Sequence, residues 1–379
     1  MVTGRSLRRW LTVTAAVGGS LTACGAPAKA PGAPITGWDA TALPGHARDA
    51  WGVGCRGARC VIAGDNASTA SVVWTTSDAG GSWRQRTLPG ATNGIPPGLV
   101  PSEAGASDVA AACSPPQTCV VSGSSTAASA AVWLSANGGA TWTEHDLPGG
   151  NGSAMHLSCL AHTASCVAAG TDDSYDTVVW VTRDGGLTWQ RSAVPEAYDA
   201  EGPVACSGPE PSSATCLLAA LPGSTEAKTV GIWRSTDGGI TWQPGVSLTG
   251  GFQSIGAIVC PTSRRCVMAS TSGPRASAAL WSGDGGRTWS RQTLPGSGGA
   301  AAPVVDCLTT THCVFVGVDK AGWLASWETA DGGRHWKRTH LPQSHSPQGP
   351  SAISCAASSG RCMVTAKDSK GYPTVWEST

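Results

Sequence analysis

Residues 282–289 read Ser-Gly-Asp-Gly-Gly-Arg-Thr-Trp, and the chain contains six copies of this octapeptide. Each copy begins with Ser or Thr, carries Asp or Asn at its third position and Gly at its fifth, and ends in Trp. The copies occupy residues 76–83, 135–142, 182–189, 235–242, 282–289 and 329–336, with final tryptophans 59, 47, 53, 47 and 47 residues apart. Repetition at this period is typical of propellers and solenoids, which stack one supersecondary unit many times.

The cysteines follow the same repeat. Of 15 cysteines, 14 form pairs five to ten positions apart, one pair in each of seven units. A hairpin between two short strands would bring each pair together, which predicts seven local disulfides. The pairs are Cys55/Cys60, Cys113/Cys119, Cys159/Cys166, Cys206/Cys216, Cys260/Cys266, Cys307/Cys313 and Cys355/Cys362. The alternative, a metal or redox site, would need CxxC spacing or clustered pairs, and the sequence has neither.

Each unit reads as four short strands, A to D, because β-branched runs alternate with Gly, Pro, Ser and Asp. The seventh Cys pair has no octapeptide after it, since the chain ends at Trp376-Glu-Ser-Thr379. Trp38–Gly45 matches the segment that follows each octapeptide elsewhere and supplies the missing strand D. The sequence therefore predicts an all-β, seven-bladed β-propeller of four-stranded blades over residues 37–379. Pairing of the N-terminal strand with the C-terminal blade would close the ring.

One unit departs from the pattern of strand C, whose tryptophan normally lies nine residues before the octapeptide tryptophan. In the fifth unit Trp281 lies eight residues before Trp289. We therefore expect Leu280 to take the inward position there.

Composition excludes some function classes. The chain has 25 Lys and Arg against 25 Asp and Glu, and only 13% of its residues are charged. A nucleic-acid-binding domain normally has a basic excess. The 41% hydrophobic content is enough for a buried core and does not fit a disordered polymer.

The N-terminus has the features of an export signal. Three arginines (Arg5, Arg8 and Arg9) precede a short apolar run that ends at Leu21-Thr-Ala-Cys24. The last four residues resemble the lipobox of bacterial lipoproteins, which implies lipidation of Cys24 and anchoring at the outer face of the cytoplasmic membrane. On this interpretation 1–23 is the signal peptide and 24–36 a flexible tether. The alternative is an ordinary cleaved signal in which Cys24 occurs by chance.

The octapeptide resembles the Asp-box (BNR) repeat of sialidases, other glycoside hydrolases, the photosystem II assembly factor family and sorting-receptor ectodomains. That resemblance covers the chain from about residue 37 and implies the fold, but it says little about activity. The Gly pair suits a tight turn, and the acidic or amide side chain can accept turn N–H groups. We therefore expect structural roles for Asp78, Asn137, Asp184, Asp237, Asp284 and Asp331. Catalytic or metal-binding roles are the alternative.

Binding residues are expected where the loops vary between units, at the B–C and D–A connections. These connections hold all three tyrosines, an acidic cluster in the third unit and lysines in the sixth and seventh. The candidate binding face comprises Asp172, Asp173, Tyr175, Asp176, Tyr198, Glu201, Lys320, Trp323, Lys367, Lys370 and Tyr372. Solvated loops without a ligand are the alternative.

Three functions are compatible with this pattern. A sialidase-like enzyme would need three converging arginines, and only Arg48 and Arg275 fall in the variable loops, although a two-carboxylate glycosidase could draw on Asp172 or Glu201. A structural envelope protein would need no ligand. The prediction we adopt is a non-catalytic, membrane-anchored monomer that binds a protein or glycan of the cell envelope. We expect no cofactor, no metal and no nucleic-acid partner.

Overall fold

We describe the fold from a computed structural model of the chain. It describes residues 33–379 except positions 69, 91–109, 115–117, 126–128, 173, 175, 199–201, 221–228, 273–275, 300 and 346–347. Over this range the chain folds into 28 strands and one short 3₁₀ helix, Pro211–Ser213. The described part of the chain contains no helix with the length and apolar character needed to cross a bilayer.

The strands form seven four-stranded antiparallel sheets, the blades, in which consecutive strands run from the inside of the ring to the outside. Blade 1 is β2 (Ala47–Arg56), β3 (Arg59–Asn66), β4 (Ser71–Thr76) and β5 (Arg84–Thr87). Blade 2 is β6 (Ala110–Ser114), β7 (Thr118–Ser124), β8 (Ser129–Ser135) and β9 (Thr143–Asn151). Blade 3 is β10 (Ser153–Cys159), β11 (Cys166–Thr171), β12 (Asp176–Thr182) and β13 (Gln190–Tyr198).

Blade 4 is β14 (Val204–Ser207), β15 (Thr215–Ala220), β16 (Val230–Ser235) and β17 (Gln243–Leu248). Blade 5 is β18 (Phe252–Val259), β19 (Cys266–Ser272), β20 (Ala276–Ser282) and β21 (Ser290–Thr293). Blade 6 is β22 (Val304–Cys307), β23 (Cys313–Val318), β24 (Trp323–Thr329) and β25 (Lys337–His345). Blade 7 is β26 (Pro350–Ala356), β27 (Arg361–Lys367), β28 (Pro373–Ser378) and, from the N-terminus, β1 (Trp38–Ala42). The predicted seven-bladed propeller is confirmed.

Ring closure follows the predicted pairing of the two chain ends. Strand β1 is antiparallel to β28, with Trp38 opposite Ser378 and Ala42 opposite Thr374. The pairing continues beyond β1, because the Thr36 and Gly37 N–H groups both donate to the Thr379 carbonyl. Unlike the other blades, blade 7 thus combines strands from both ends of the chain. The hydrogen bonds between β1 and β28 close the ring and leave neither of these two strand edges unpaired.

The strand directions define two faces of the disc. The A–B hairpins and the octapeptide turns between strands C and D lie on one side, here called the Asp-box face. The B–C and D–A connections lie on the other side, here called the loop face. This arrangement follows from antiparallel pairing within every blade.

Tryptophans join neighbouring blades through hydrogen bonds as well as apolar packing. In six blades the strand-C indole N–H donates to the carbonyl of the proline that ends the Leu-Pro or Val-Pro pair of the preceding strand D. The pairs are Trp74–Pro44, Trp133–Pro89, Trp180–Pro148, Trp233–Pro195, Trp327–Pro295 and Trp376–Pro342, at 2.6–3.1 Å. Each bond satisfies an indole N–H that lies within the apolar layer between two sheets, where an unpaired donor would be costly.

Blade 5 is the exception that the sequence predicts. Leu280 is 2% exposed and pairs with Met268 at the register position that tryptophan occupies in the other blades, as Trp327 does opposite Phe315. The preceding strand, β17, ends at Leu248, and Thr249 follows it where a proline follows Leu or Val in the other blades. The junction between blades 4 and 5 therefore lacks both the indole donor and the proline carbonyl.

Strand D extends further than predicted in blades 2, 3 and 6. The sequence places its end at Leu-Pro, but β9, β13 and β25 continue after a register shift and pair again with the start of strand C. The proline interrupts the ladder because it has no N–H to donate, and the residues beyond it resume the pairing. This extension brings His345 opposite Trp323 on the loop face.

Candidate functional site

The Asp or Asn at the third octapeptide position caps its own turn. The Oδ1 atom of Asp284 accepts hydrogen bonds from Ser282 Oγ (2.8 Å), Arg287 N–H (2.9 Å) and Thr288 N–H (2.9 Å), and Oδ2 accepts one from Thr288 Oγ1 (2.6 Å). The bonds from the Thr288 hydroxyl and N–H are the main reason that the pKa of Asp284 lies well below its usual range. Closely similar contacts occur at Asp78, Asn137, Asp184, Asp237 and Asp331. These contacts account for all six residues as parts of the turn.

Six of the predicted cysteine pairs are disulfide-bonded across strands A and B, with Cα atoms 3.9–4.1 Å apart. They are Cys55–Cys60, Cys159–Cys166, Cys206–Cys216, Cys260–Cys266, Cys307–Cys313 and Cys355–Cys362. Cys113 is opposite Cys119 in the register of β6 and β7. Cys24 lies outside the described residues.

The B–C turns of blades 1, 3, 6 and 7 share a capping device that sequence reasoning missed. One side-chain oxygen accepts the N–H groups two and four residues ahead, as in an extended Asx turn. Asp172 holds Ser174 and Asp176 in this way, and Asp319 holds Ala321 and Trp323. Asn66 and Asp368 make the same contacts in blades 1 and 7. A polar residue with a short acceptor side chain, at the end of strand B or just after it, is the sequence signal.

Two residues of the candidate binding face form internal ion pairs. Asp172 is 9% exposed, and its Oδ2 lies 2.5 Å from Arg191 Nη2. Lys367 Nζ lies 2.5 Å from Oδ1 of Asp49, which is 5% exposed, and this contact links blade 7 to blade 1. Asp172 and Lys367 therefore stabilise the loop face itself.

The remaining acidic candidates lie in blade 3 and the connection after it. Asp176 is partly buried, begins β12 and pairs in register with Tyr198, whose backbone ends β13. Asp173, Tyr175 and Glu201 lie outside the described residues.

The other four candidates are exposed in or beside the B–C turns of blades 6 and 7. Tyr372 is 62% exposed and Trp323 is 38% exposed, and Lys320 and Lys370 are also exposed. The imidazole of His345 lies edge-on to the Trp323 ring, with centroids 5.1 Å apart. The structure therefore brings two exposed aromatic side chains and two lysines to one region of the loop face.

The axis of the ring contains a cavity of about 810 Å³, lined by the inner strands. Two titratable side chains face it. Burial lowers the pKa of His156 to about 4 and raises the pKa of Asp306 to about 6, although two backbone N–H groups oppose the shift at Asp306. Those N–H groups belong to Cys307 and Cys355, so Asp306 also links blade 6 to blade 7.

The same inter-blade link recurs with serine. Ser158 Oγ accepts from Cys206 N–H (3.0 Å), and Ser354 Oγ accepts from Cys55 N–H (2.9 Å). A polar residue immediately before the first cysteine of a blade is the sequence signal for this contact, and sequence reasoning missed it.

Two carboxylate pairs lie opposite each other in strand register among the described residues. Asp39 is exposed and opposite Glu377, whose Oε1 pairs with Arg361. Asp49 is opposite Asp65, and these two are buried, at 5% and 7% exposed, with burial raising the pKa of Asp65. A substrate could not reach them without rearrangement of the blade. Among the described residues, no three His, Cys, Asp or Glu side chains lie close enough to hold a metal ion.

Comparisons with known proteins agree with this architecture. A family model described as the BNR/Asp-box repeat matches residues 233–244. The structure of YCF48 bound to D1 peptide is 17% identical with a TM-score of 0.58, covering 93% of this chain and 99% of that one. YCF48 from Cyanidioschyzon merolae is 14% identical with a TM-score of 0.56, over 90% and 98%.

A GH74 enzyme from Niastella koreensis is 15% identical with a TM-score of 0.55, over 85% of this chain and 52% of the enzyme. The chain thus spans about half the length of that enzyme. By sequence, no curated protein matches the chain. At these identities the similarity to solved structures shows the fold alone. The chain is a seven-bladed β-propeller in which residues 233–244 match the BNR/Asp-box repeat.

Proposed function

We propose that this chain is a non-catalytic, membrane-anchored propeller outside the cytoplasm that binds a protein or glycan partner through its loop face. The observation that carries the proposal is the exposure of Trp323 and Tyr372 on turns fixed by Asp319 and Asp368. Aromatic side chains held rigidly at a surface lose little conformational entropy on binding, and they are enriched in binding sites.

The attachment of the N-terminal segment supports presentation of this face. Ile35 is 2% exposed, its N–H donates to Glu328 Oε1 (2.9 Å), and its carbonyl accepts from Lys337 Nζ (2.6 Å). Ile35 and Thr36, which the sequence assigns to the tether, thus contact the propeller at its Asp-box face. Residues 25–34 span at most about 35 Å when extended. A lipid on Cys24 would hold the Asp-box face near the membrane and turn the loop face away from it.

The disulfides fit a location in an oxidising compartment, where such bonds persist. Exported lipoproteins of the cell envelope meet that condition. Binding to a protein segment also has a parallel in the same fold, since the YCF48 structure holds a D1 peptide. These points support a binding propeller outside the cytoplasm.

The glycoside hydrolase alternative has less support from the described residues. Hydrolysis needs two accessible carboxyl groups about 5–10 Å apart. Asp49, Asp172 and Asp319 are each at most 9% exposed and bonded to neighbouring groups. Arg191 and Arg338 lie on the outer strands of different blades, so they do not converge as a carboxylate-binding cluster would.

Co-purification of the full-length chain from detergent-solubilised envelopes tests the proposal. A partner recovered with wild type should be lost with the Trp323→Ala/Tyr372→Ser variant and retained with Leu187→Ala, which removes a 63% exposed side chain from the Asp-box face. Equal thermal midpoints would show that the variants are folded. Turnover of fluorogenic glycosides, or retention of the partner by the double variant, would contradict the proposal. Cys24→Ser should move the chain out of the membrane fraction.

A further inference from the structure

Near the end of strand β25, Gln343 adopts a left-handed backbone conformation that favours glycine. After Leu-Pro, four blades place Gly45, Gly90, Gly149 or Gly296 at φ between 63° and 78°. Blade 6 places Gln343 there, at φ 54°. A side chain in the left-handed region is strained, and such strain persists mainly where the residue serves a function.

Gln343 also fixes the neighbouring loop. Its carbonyl accepts the Ser369 N–H of blade 7 at 2.9 Å. The turn that follows Ser369 is closed by Asp368 Oδ1, which accepts the N–H groups of Lys370 (2.8 Å) and Tyr372 (2.9 Å). The B–C turn of blade 7 is therefore held against the end of β25, next to the Trp323–His345 pair.

Six exposed side chains that blades 6 and 7 present on the loop face are here called the blade 6–7 patch. Its members are Lys320, Trp323, Gln343, His345, Lys370 and Tyr372, all of which are exposed. They combine aromatic rings, an amide that can donate and accept, and ammonium groups.

The six side chains of the patch include two ammonium groups and no carboxylate, and Asp319 and Asp368 lie beside them in the same turns. Asp319 is 4% exposed, and its Oδ2 is 2.8 Å from His340 Nε2 while its Oδ1 caps the turn. Asp368 caps the turn before Tyr372. Lys320 and Lys370 form no ion pair with any described residue. An anionic partner would therefore meet two ammonium groups that no described carboxylate pairs with directly.

We infer that the blade 6–7 patch binds an anionic glycan, a chain of sugars that carry carboxylates, and this rests on the proposed binding function. Trp323 and Tyr372 would stack on the C–H faces of successive sugars, because each ring has an apolar face and a polar edge. The Gln343 amide would pair with hydroxyls, and Lys320 and Lys370 with carboxylates.

A peptide fits the patch less well. A helical peptide docks by laying its apolar face into a hydrophobic groove. Where the structure describes side chains, the large exposed apolar residues are Trp323, Tyr372 and Leu187, and Leu187 lies on the opposite face.

Fluorescence anisotropy of the full-length chain in detergent tests this inference with two labelled carboxylated probes, hexagalacturonate and a hyaluronan hexasaccharide. Controls are methyl-esterified hexagalacturonate, which lacks the charge, and a peptide of twelve Asp and Glu residues. We expect saturable binding of at least one carboxylated probe and at least ten-fold weaker binding of the ester. Trp323→Ala/Tyr372→Ser and Lys320→Gln/Lys370→Gln should each weaken binding ten-fold or more, and Leu187→Ala should leave it unchanged.

Gln343→Gly separates function from folding. Glycine relieves the left-handed strain, so the thermal midpoint should rise by about a degree while binding weakens at least three-fold. Failure of both carboxylated probes to bind would overturn the inference, as would binding that is undiminished in the aromatic variant or equally strong for the acidic peptide. Loss of a co-purifying protein from the Trp323→Ala/Tyr372→Ser variant would still support the proposed function.

Discussion

The indole–proline hydrogen bonds between blades lead to a quantitative prediction at Trp327. Trp327→Phe keeps an aromatic ring but removes the N–H that donates to the Pro295 carbonyl at 2.8 Å. A buried carbonyl without its partner costs about 1–3 kcal/mol. Trp327 is fully buried, so the smaller ring also leaves a cavity, which adds roughly 1 kcal/mol. We expect a loss of about 2–4 kcal/mol in the free energy of unfolding.

Trp281→Phe in the adjacent blade is the matched control. Trp281 packs against Phe315 and Trp336, contacts that phenylalanine can largely keep, and its Nε1 has no hydrogen-bond partner among the described residues. Removing the unpaired Trp281 N–H leaves no buried acceptor without a hydrogen bond. We therefore expect a cost of about 1 kcal/mol or less.

Differential scanning calorimetry under oxidising conditions measures the difference. With an unfolding entropy of about 2.1 cal/mol/K per residue over roughly 340 residues, 1 kcal/mol corresponds to about 1.4 °C. Trp327→Phe should lower the midpoint by about 3–6 °C and Trp281→Phe by less than about 2 °C. Equal shifts in the two variants would refute the role assigned to the inter-blade hydrogen bond.

Three further outcomes follow from individual contacts. The pKa of His156 is about 4 in the folded chain against 6.5 ordinarily, so its contribution to stability should fall by up to about 3 kcal/mol on acidification between these values. The raised pKa of Asp306 acts in the opposite direction, so His156→Gln should be more resistant to acid than wild type in pH-dependent urea unfolding. Asp284→Ala should cost about 1 kcal/mol by loss of the turn cap, while Asp284→Asn should cost less because Asn137 occupies the equivalent position in blade 2; the same assay compares them. Replacing Cys307 and Cys313 by serine should cost about 2 kcal/mol, and no change in midpoint would contradict the stabilising role of that bridge.

The architecture could be predicted because the same blade pattern of octapeptide and cysteine pair recurs along the chain. Periodic spacing gave the blade number, and the match of Trp38–Gly45 to the segments after each octapeptide gave the closing strand. Leu280 was predictable for the same reason, since one shifted tryptophan stands out against regular copies.

The site was less predictable, because a loop residue's role depends on what the fold places beside it. The sequence presents Asp172 and Lys367 as charged loop residues for binding, but folding pairs them with Arg191 and Asp49. The left-handed φ of Gln343 could have been suspected from the glycines that follow Leu-Pro elsewhere. Its contact with Ser369 depends on how two blades meet, which no local pattern specifies.

Photo-cross-linking in the native cell envelope tests the central claim, that recognition takes place on the loop face, most directly. A photoactivatable residue in place of Tyr372 on the loop face, or of Leu187 on the Asp-box face, is placed in the full-length chain; both native side chains are more than 60% exposed. We expect adducts with a partner from position 372 and none from position 187. Adducts only from position 187, or from neither position, would contradict the account.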